Sequence, residues 1–249
     1  MLFIEPIKAF TDNYIWCIHN KTNAIIVDPG DAIVVKNYLK QNKINLVAIL
    51  VTHHHKDHTG GVIELKNAYD CLKIYSLIPE IATHLVDDGD SINIQLLDDL
   101  TLNVIKVPGH TLDHIVFYND KMVFCGDTLF SAGCGRVFEG TYEQMYQSLM
   151  KIRNLSDDIL IYPAHEYTLK NIEFALTIEP HNLNLLDRYA ECLNLRSKDM
   201  PTLPVKLKVE KLVNPFLRCD KVELKNSVGM LNDTSEQVFT YIRKLRNNF

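Results

Sequence analysis

The sequence predicts a mixed α+β fold, in which packed β-sheets are flanked by helices and followed by a small helical module. Two observations support this prediction. Short apolar runs rich in β-branched residues fill the first two thirds of the chain, and each stops at Gly, Pro, Asp or His. Beyond about residue 168 these strand signals vanish, and apolar residues recur with helical spacing. We therefore predict two domains, residues 1–169 and 170–249.

Apolar runs mark the predicted strands of the first domain. They are residues 14–19, 24–30, 45–53, 71–77, 100–110, 121–130 and 158–165. Residues 31–42 and 141–155 have the spacing of amphipathic helices. In the second domain, residues 171–178, 183–197 and 235–245 are predicted as helices, and residues 200–216, with three prolines, as an irregular connection. Because helices occur only between some of the strands, a regular βαβ alternation is not indicated.

The amino-acid composition argues against a nucleic-acid-binding or membrane function. The chain has 249 residues, 47% of them apolar, and a net charge of −5, which gives no basic footprint for nucleic acid. Because this net negative charge repels anions, an anionic small substrate would need a local cluster of cationic side chains. Six scattered cysteines without a CxxC pair, and no apolar run near the roughly 20 residues of a bilayer span, predict a soluble cytoplasmic protein. We expect a monomer with no membrane partner.

The segment THHHKDH, residues 52–58, carries the strongest chemical signal. It follows a predicted buried strand, and alternate residues of a strand project to the same side, so His53 and His55 can converge on one metal ion. Asp57 and His58 lie beyond the strand and are available to a second ion. Imidazole with carboxylate is the ligand mix of zinc, iron or manganese rather than of calcium or magnesium alone.

Three further ligand candidates stand at strand ends. His110, Asp127 and His165 each close an apolar run. Strand ends at one edge of a sheet form a common rim, which is a usual place for an active site. A single histidine of this kind is as often structural as functional, but the repeated placement favours a binuclear metal site.

The remaining histidines receive weaker interpretations. His54 should point away from the ions if its neighbours face them, which leaves it a packing or ligand-supporting role. His114, four residues after His110, is a candidate for orienting a ligand. His19, His84 and His181 have no partner pattern and are expected at the surface.

The HxHxDH run, with later ligands at strand ends, resembles the metallo-β-lactamase superfamily over residues 1 to about 170. The resemblance implies a four-layer αββα sandwich and two divalent ions, with zinc favoured and iron or manganese compatible. The implied ligands are His53, His55 and His110 for the first ion, Asp57, His58 and His165 for the second, and Asp127 as the bridge.

Four further segments narrow the resemblance. They are TDNY at 11–14, GDTLFSAGCGRVFEG at 126–140, HEYT at 165–168 and NPFLR at 214–218. With the helical tail, they resemble the hydroxyacylglutathione hydrolase (glyoxalase II) family over essentially the whole chain. The resemblance implies hydrolysis of S-(2-hydroxyacyl)glutathione thioesters, such as S-lactoylglutathione, to glutathione and a 2-hydroxy acid (D-lactate), the second step of methylglyoxal detoxification.

The same resemblance implies the positions that contact glutathione. Arg136 matches a basic residue, Tyr167 a tyrosine, and Arg243 and Arg246 two basic positions for the glycine carboxylate. The two arginines are three apart on a predicted helix and so share a face, although a solvated basic face would look the same. Phe138 stands where some members have tyrosine. Asp113 stands where glycine is usual, beside the metal ligands.

The implied mechanism uses a hydroxide that bridges the two ions at Asp57 and Asp127 and attacks the thioester carbonyl. Glutathione leaves as a thiolate with little need for an acid, since a thiol has a pKa of about 8.5. One rival function is a mononuclear-iron glutathione persulfide dioxygenase, which shares HxHxDH. A nuclease of the same superfamily and a non-catalytic binding module are further alternatives.

Overall fold

The computed structural model describes residues 1–249, which form fourteen strands, nine α-helices and one short 3-10 helix. The strands are β1 (Phe3–Ala9), β2 (Asn13–His19), β3 (Asn23–Val27), β4 (Asn45–Leu50), β5 (Lys73–Ser76), β6 (His84–Leu85), β7 (Ser91–Ile94), β8 (Leu100–Lys106), β9 (Ile115–Tyr118), β10 (Met122–Gly126), β11 (Leu129–Phe130), β12 (Gly133–Cys134), β13 (Leu160–Pro163) and β14 (Val205–Lys206). The α-helices are α1 (Ala32–Asn42), α2 (Lys56–Thr59), α3 (Val62–Ala68), α4 (Tyr142–Arg153), α5 (Thr168–Ile178), α6 (Leu183–Arg196), α7 (Leu207–Val213), α8 (Val222–Ser227) and α9 (Ser235–Asn247). No helix combines the length and the apolar character needed to cross a bilayer.

Two compact units divide the chain. The first comprises Met1–Lys106, Asp113–Asn119 and Val123–Gly126. The second comprises Val107–Leu112, Asp120–Met122 and Asp127–Phe249.

The first unit contains a six-stranded sheet in the order β1-β2-β3-β4-β5-β6. β1, β2 and β3 are antiparallel neighbours, whereas β3, β4, β5 and β6 run parallel. Residues of α1 and α3 share an apolar core with this sheet. Val27 and Leu50, the last residues of β3 and β4, are paired. The segments that follow these two strands therefore leave the sheet at the same edge.

The first unit also contains β7, β8, β9 and all of β10 except Met122, and these strands pair antiparallel in that order. Val104, Phe117 and Phe124 stand opposite one another across three of these strands, and all three are buried. Such cross-strand apolar pairs stabilise the sheet and fix its register. β10 then ends at Gly126, directly before the predicted ligand Asp127.

The second unit is mostly helical and carries the hairpin β11–β12 and the antiparallel pair β13–β14. Its aromatic core includes Phe216, which packs against Phe174 at 6.1 Å and Phe239 at 5.8 Å between ring centroids. Tyr146 of α4 adds a further ring contact to Phe239 at 5.6 Å. These contacts bury the inner face of α9, the helix that carries Arg243.

The predicted irregular connection at residues 200–216 is only partly correct. Residues 205–206 form β14, and Leu207–Val213 form α7 between the prolines. Leu207, Glu210 and Val213 of this helix are buried at intervals of three. The flanking prolines obscured a short amphipathic helix. The expectation of a surface position for His19 was likewise wrong, because its ring is buried and stacks on Phe3.

A capping box holds the start of α9. Thr234 Oγ1 accepts a hydrogen bond from the Gln237 backbone N–H at 3.2 Å, and Gln237 Oε1 accepts one from the Thr234 N–H at 2.8 Å. We expect Thr234→Ala to lower the free energy of unfolding by about 1 kcal/mol. Thermal unfolding measures this as a fall of roughly 2–4 °C. Thr234→Ser keeps the hydroxyl and is the control, so an equal loss in both variants would contradict the cap.

Candidate metal ligands and anion pocket

The predicted ligands of the first unit lie in the loop after β4 and in the short helix α2. β4 ends at Leu50, three residues before His53, so strand alternation does not place these side chains as expected. Instead His55 is the N-cap residue of α2, and Asp57 and His58 lie within that helix. His53 and His58 are buried, whereas His55 and Asp57 are half-buried.

Asp28, which follows β3, fixes the orientation of two of these histidines. Its carboxylate accepts hydrogen bonds from the Thr52 backbone N–H at 2.7 Å, the Thr52 hydroxyl at 2.7 Å and His58 Nδ1 at 3.0 Å. Because the Thr52 hydroxyl donates to Asp28, its oxygen accepts from His53 Nδ1, 3.0 Å away. Both histidines are thereby protonated on Nδ1 and present the lone pair of Nε2.

The remaining nitrogens and carboxylate oxygens of this loop lie close together. His53 Nε2 is 3.1 Å from His55 Nδ1, and His58 Nε2 is 3.3 Å from Asp57 Oδ2. Asn13 Nδ2 donates to the same Asp57 oxygen at 3.1 Å and restrains it. These separations match the ~3.3 Å between two ligand atoms bound tetrahedrally at about 2.0–2.1 Å from one ion.

His54 and His114 occupy positions beside the ligands. His54 is exposed, and its Nδ1 lies 2.9 Å from Asp113 Oδ1. Asp113 thus contacts the predicted ligand segment, residues 52–58, through His54. His114 is fully buried and stacks on His53 with ring centroids 4.6 Å apart. A side chain at Gly126 would have its Cβ 2.9 Å from the His114 ring and 2.5 Å from Thr52 Oγ1, so the strand end before the ligands requires glycine.

The second unit brings the other three predicted ligands together. Asp127 directs one carboxylate oxygen to His110 Nε2 and the other to His165 Nε2, each at 3.3 Å. His110 Nδ1 donates to the Arg136 carbonyl at 2.8 Å, which leaves the Nε2 lone pair toward Asp127. All three side chains are buried. Gly135 packs so closely here that a Cβ would lie 1.9 Å from the Asp127 carbonyl oxygen.

The donor set fits a divalent transition-metal ion. All seven residues belong to groups of His and Asp side chains that could hold a metal ion. Where the hydrogen bonds define the tautomer, the imidazoles expose a nitrogen lone pair and use their other nitrogen for an outer partner, as metal-bound histidines do. Nitrogen with a few carboxylate oxygens suits zinc, iron or manganese.

An anion pocket of about 220 Å³ lies within the second unit. It is lined by Phe130, Cys134, Arg136, Tyr167, Asn171, Arg243, Arg246 and Asn247. Three of these side chains are guanidinium cations and none is a carboxylate. The volume is below the roughly 300 Å³ at which pockets for whole small molecules begin, so this pocket suits one anionic end of a larger ligand.

Aromatic rings connect the pocket to the ligand His165. Tyr167 stacks on His165 with centroids 4.7 Å apart and planes 6° apart, and Phe130 contacts both rings edge-on. Phe138 is 60% exposed and packs edge-on against His110, and the Arg136 guanidinium lies over the Phe138 ring at 5.5 Å from its centroid. Two of the predicted substrate-binding residues, Tyr167 and Phe138, therefore contact predicted ligands of this unit.

The two arginines of α9 differ in their surroundings. Arg243 is buried and donates to the Cys134 carbonyl at 2.9 Å, the Gly135 carbonyl at 3.4 Å and Asn247 Oδ1 at 3.0 Å. Arg246 is half-buried and makes one long hydrogen bond, to Asn171 Oδ1 at 3.4 Å. Burial, and secondly the charge of Arg243, lower the pKa of the Arg246 guanidinium. An anion beside Arg246 would relieve that repulsion.

Asp28, Asn13 and Asn171 contact predicted site residues but were not themselves predicted from the sequence. A sequence signal existed for Asp28, since it ends an apolar run in the same way as the predicted ligands. Asn13 lies in the TDNY segment, which carried the family resemblance but assigned this residue no role. Asn171 has no comparable signal, because a single asparagine is common at turns and caps.

A family model and a solved structure indicate the class of protein to which the chain belongs. The family model described as the metallo-beta-lactamase superfamily matches residues 10–79 and 75–165. ETHE1 from Myxococcus xanthus superposes on 99% of the chain and 97% of its own, with a TM-score of 0.63 and 21% identity. This likeness confirms the predicted α+β fold and shows the fold alone. The class of protein is therefore the metallo-β-lactamase superfamily.

Sequence relatives then define the family. The model described as the hydroxyacylglutathione hydrolase C-terminus matches residues 166–249. Hydroxyacylglutathione hydrolases of Vibrio cholerae and Photobacterium profundum are 47% and 46% identical, each over the full length of both chains. The chain belongs to the hydroxyacylglutathione hydrolase family.

Proposed function

We propose that the protein hydrolyses S-(2-hydroxyacyl)glutathione thioesters, such as S-lactoylglutathione, to glutathione and a 2-hydroxy acid. The observation that carries this proposal is the pocket lined by three guanidiniums and no carboxylate, joined by stacked rings to a His–Asp–His set. The full-length likeness to hydroxyacylglutathione hydrolases supports the same substrate class.

We propose that two divalent ions, with zinc favoured, bind the seven His and Asp side chains. His53, His55 and His110 would hold one ion, Asp57, His58 and His165 the other, and Asp127 both. When bound, such ions supply a Lewis acid for the carbonyl and lower the pKa of a water molecule toward neutrality.

Other side chains of the protein orient the proposed metal ligands and bind the substrate. Asp28 holds two imidazoles in the ligand tautomer, and Asn13 restrains the Asp57 carboxylate. Residues 170–249 supply half of the side chains that line the pocket for the peptide end of the substrate, namely Asn171, Arg243, Arg246 and Asn247. Because the leaving thiol has a pKa of about 8.5, no general acid is needed to protonate it.

Within the pocket, we assign the carboxylate of the glycine end chiefly to Arg246, assisted by Arg136. The hydrogen bonds of Arg243 are already directed to backbone carbonyls and Asn247, so its contribution is mainly its charge. Tyr167 and Phe138 flank the route from this pocket to the histidines.

The function is tested by the ultraviolet loss of the S-lactoylglutathione thioester, with metal content measured on the same protein. We expect rapid loss from protein that holds two ions per chain. Absence of hydrolysis from protein with two ions would overturn the proposal. Oxygen uptake with glutathione persulfide, by protein holding a single iron, would instead support the dioxygenase alternative.

Arg246→Ala should raise KM for S-lactoylglutathione by about 10–100-fold and leave kcat within about threefold, because a charge-assisted hydrogen bond contributes roughly 1.5–3 kcal/mol. Lys244→Ala removes the same charge from the same helix but lies outside the pocket, where its ammonium sits over Tyr142. Equal KM values for the two variants would contradict the assignment of Arg246.

A further inference from the structure

The hairpin at residues 129–134, here called the pocket hairpin, comprises β11, a two-residue turn and β12. Phe130 and Cys134 line the pocket, whereas the turn residues Ser131 and Ala132 do not. Ala132 has a φ of 53°, in the left-handed region that non-glycine residues rarely adopt. A strained turn of this kind persists only where its surroundings hold it in place.

Glu210 of α7 is hydrogen-bonded to both residues of this turn. Its carboxylate accepts hydrogen bonds from the Ser131 hydroxyl and from the Ala132 backbone N–H, both at 2.7 Å. Asn214, which follows α7, donates a third to the same carboxylate at 3.1 Å. Glu210 is fully buried, and burial raises its pKa although these hydrogen bonds lower it.

Asn214 is hydrogen-bonded to both strands of the hairpin. Its Nδ2 donates to the Phe130 carbonyl at 3.0 Å and to the Gly133 carbonyl at 2.9 Å. It is fully buried as well. Asn171 adds a bond to the Ser131 carbonyl at 3.1 Å. Backbone groups of four consecutive hairpin residues, 130–133, are therefore held by three side chains from distant parts of the sequence.

Burial of a carboxylate with no cation bonded directly to it is costly, and well-packed apolar residues would usually stabilise a fold more. Neither Glu210 nor Asn214 lines the pocket. What they fix is the backbone that presents Phe130 and Cys134 to it. Their effect on a ligand must pass through the pocket hairpin.

We propose that Glu210 and Asn214 are positioning residues that set the affinity for the glutathione portion of the substrate by holding the pocket hairpin. The proposal rests on the proposed function for the identity of the substrate. It predicts that loosening the hairpin changes binding rather than the chemical step.

The test uses full-length, metal-loaded protein and four variants. Glu210→Ala removes the carboxylate, and Ser131→Ala removes only one hydrogen bond to it. Glu210→Gln should restore the contacts, because its amide nitrogen can donate to the Ser131 oxygen. Glu179→Ala is the matched control: this carboxylate is equally part of the second unit and buried, but it pairs with Arg218 at 2.9 Å rather than with the hairpin.

The quantities to be measured are KM and kcat for S-lactoylglutathione, the dissociation constant of S-methylglutathione, the metal content and the thermal unfolding temperature. Glu210→Ala should raise KM and that dissociation constant by about 10-fold and Ser131→Ala by about threefold, with kcat within about threefold of wild type. Glu210→Gln should lie near wild type. Glu179→Ala should lower the unfolding temperature and leave both binding values unchanged.

Equal binding changes in Glu210→Ala and Glu179→Ala would overturn the proposal, as would a fall in kcat with unchanged KM. If Glu210→Ala does not fold, Ser131→Ala decides, and an unchanged dissociation constant overturns it. Wild-type protein that binds S-methylglutathione but hydrolyses nothing would sink the proposed function alone. The hairpin proposal would then stand or fall on the binding data.

Discussion

Asp127→Ala is expected to abolish thioester hydrolysis, with a fall in kcat/KM of at least about 10³-fold. The physical reason is that one carboxylate serves two imidazoles, with an oxygen 3.3 Å from each of His110 and His165. Removing it deletes the proposed shared ligand of both ions. Stabilisation by a metal ion amounts to several kcal/mol, and each 1.36 kcal/mol is a factor of ten in rate.

The measurement pairs the thioester assay with metal analysis of the same sample. We expect Asp127→Ala to hold fewer than two ions per chain. Asp120→Ala removes an exposed carboxylate from the same second unit and should match wild type in both readouts. Full activity of Asp127→Ala would refute the proposed metal assignment.

Asp28→Asn should weaken metal binding and hydrolysis by about 10–100-fold, the usual cost of losing a partner that orients a ligand. Asn keeps one oxygen for the Thr52 N–H, but its amide nitrogen cannot accept from His58 Nδ1 or from the Thr52 hydroxyl. His58 then loses the bond that fixes its tautomer. Asp28 has a φ of 54°, a conformation that asparagine tolerates, so the backbone is preserved.

Asp31→Asn is the matched control for this substitution. Asp31 caps α1 by accepting from the Ile33 N–H at 2.7 Å, and asparagine caps a helix equally well. Metal titration should therefore separate two chemically identical changes three residues apart. Equal metal affinity in the two variants would show that Asp28 does not orient the ligands.

The α+β class and the candidate ligands could be predicted because both depend on local patterns. Apolar runs that stop at a polar residue predicted the strands, and the dense motif after β4 identified four ligand candidates at once. The prediction that strand alternation brings His53 and His55 to the same side was wrong. They lie in a loop and at a helix N-cap, since β4 ends at Leu50.

The supporting residues could not be predicted because their partners are remote in sequence. Glu210 bonds to Ser131, 79 residues away, and Asn214 to Phe130, 84 residues away. Asn214 belongs to the NPFLR segment, but that segment indicates the family and not the hairpin that Asn214 contacts. Nothing local distinguishes Glu210 from an ordinary surface carboxylate. Asp28 shows the intermediate case, in which a strand-end signal exists but the partner, Thr52, is fixed only by the parallel pairing of β3 and β4.

The buried thiol of Cys134 has a consequence for redox chemistry. It lines the pocket proposed to hold the peptide end of glutathione. Disulfide exchange requires the thiolate, and burial raises the pKa of Cys134 although Arg243 opposes that shift. The protein therefore keeps this sulfur protonated at neutral pH. Burial and the raised pKa therefore both disfavour attack of this sulfur on a glutathione disulfide that enters the pocket.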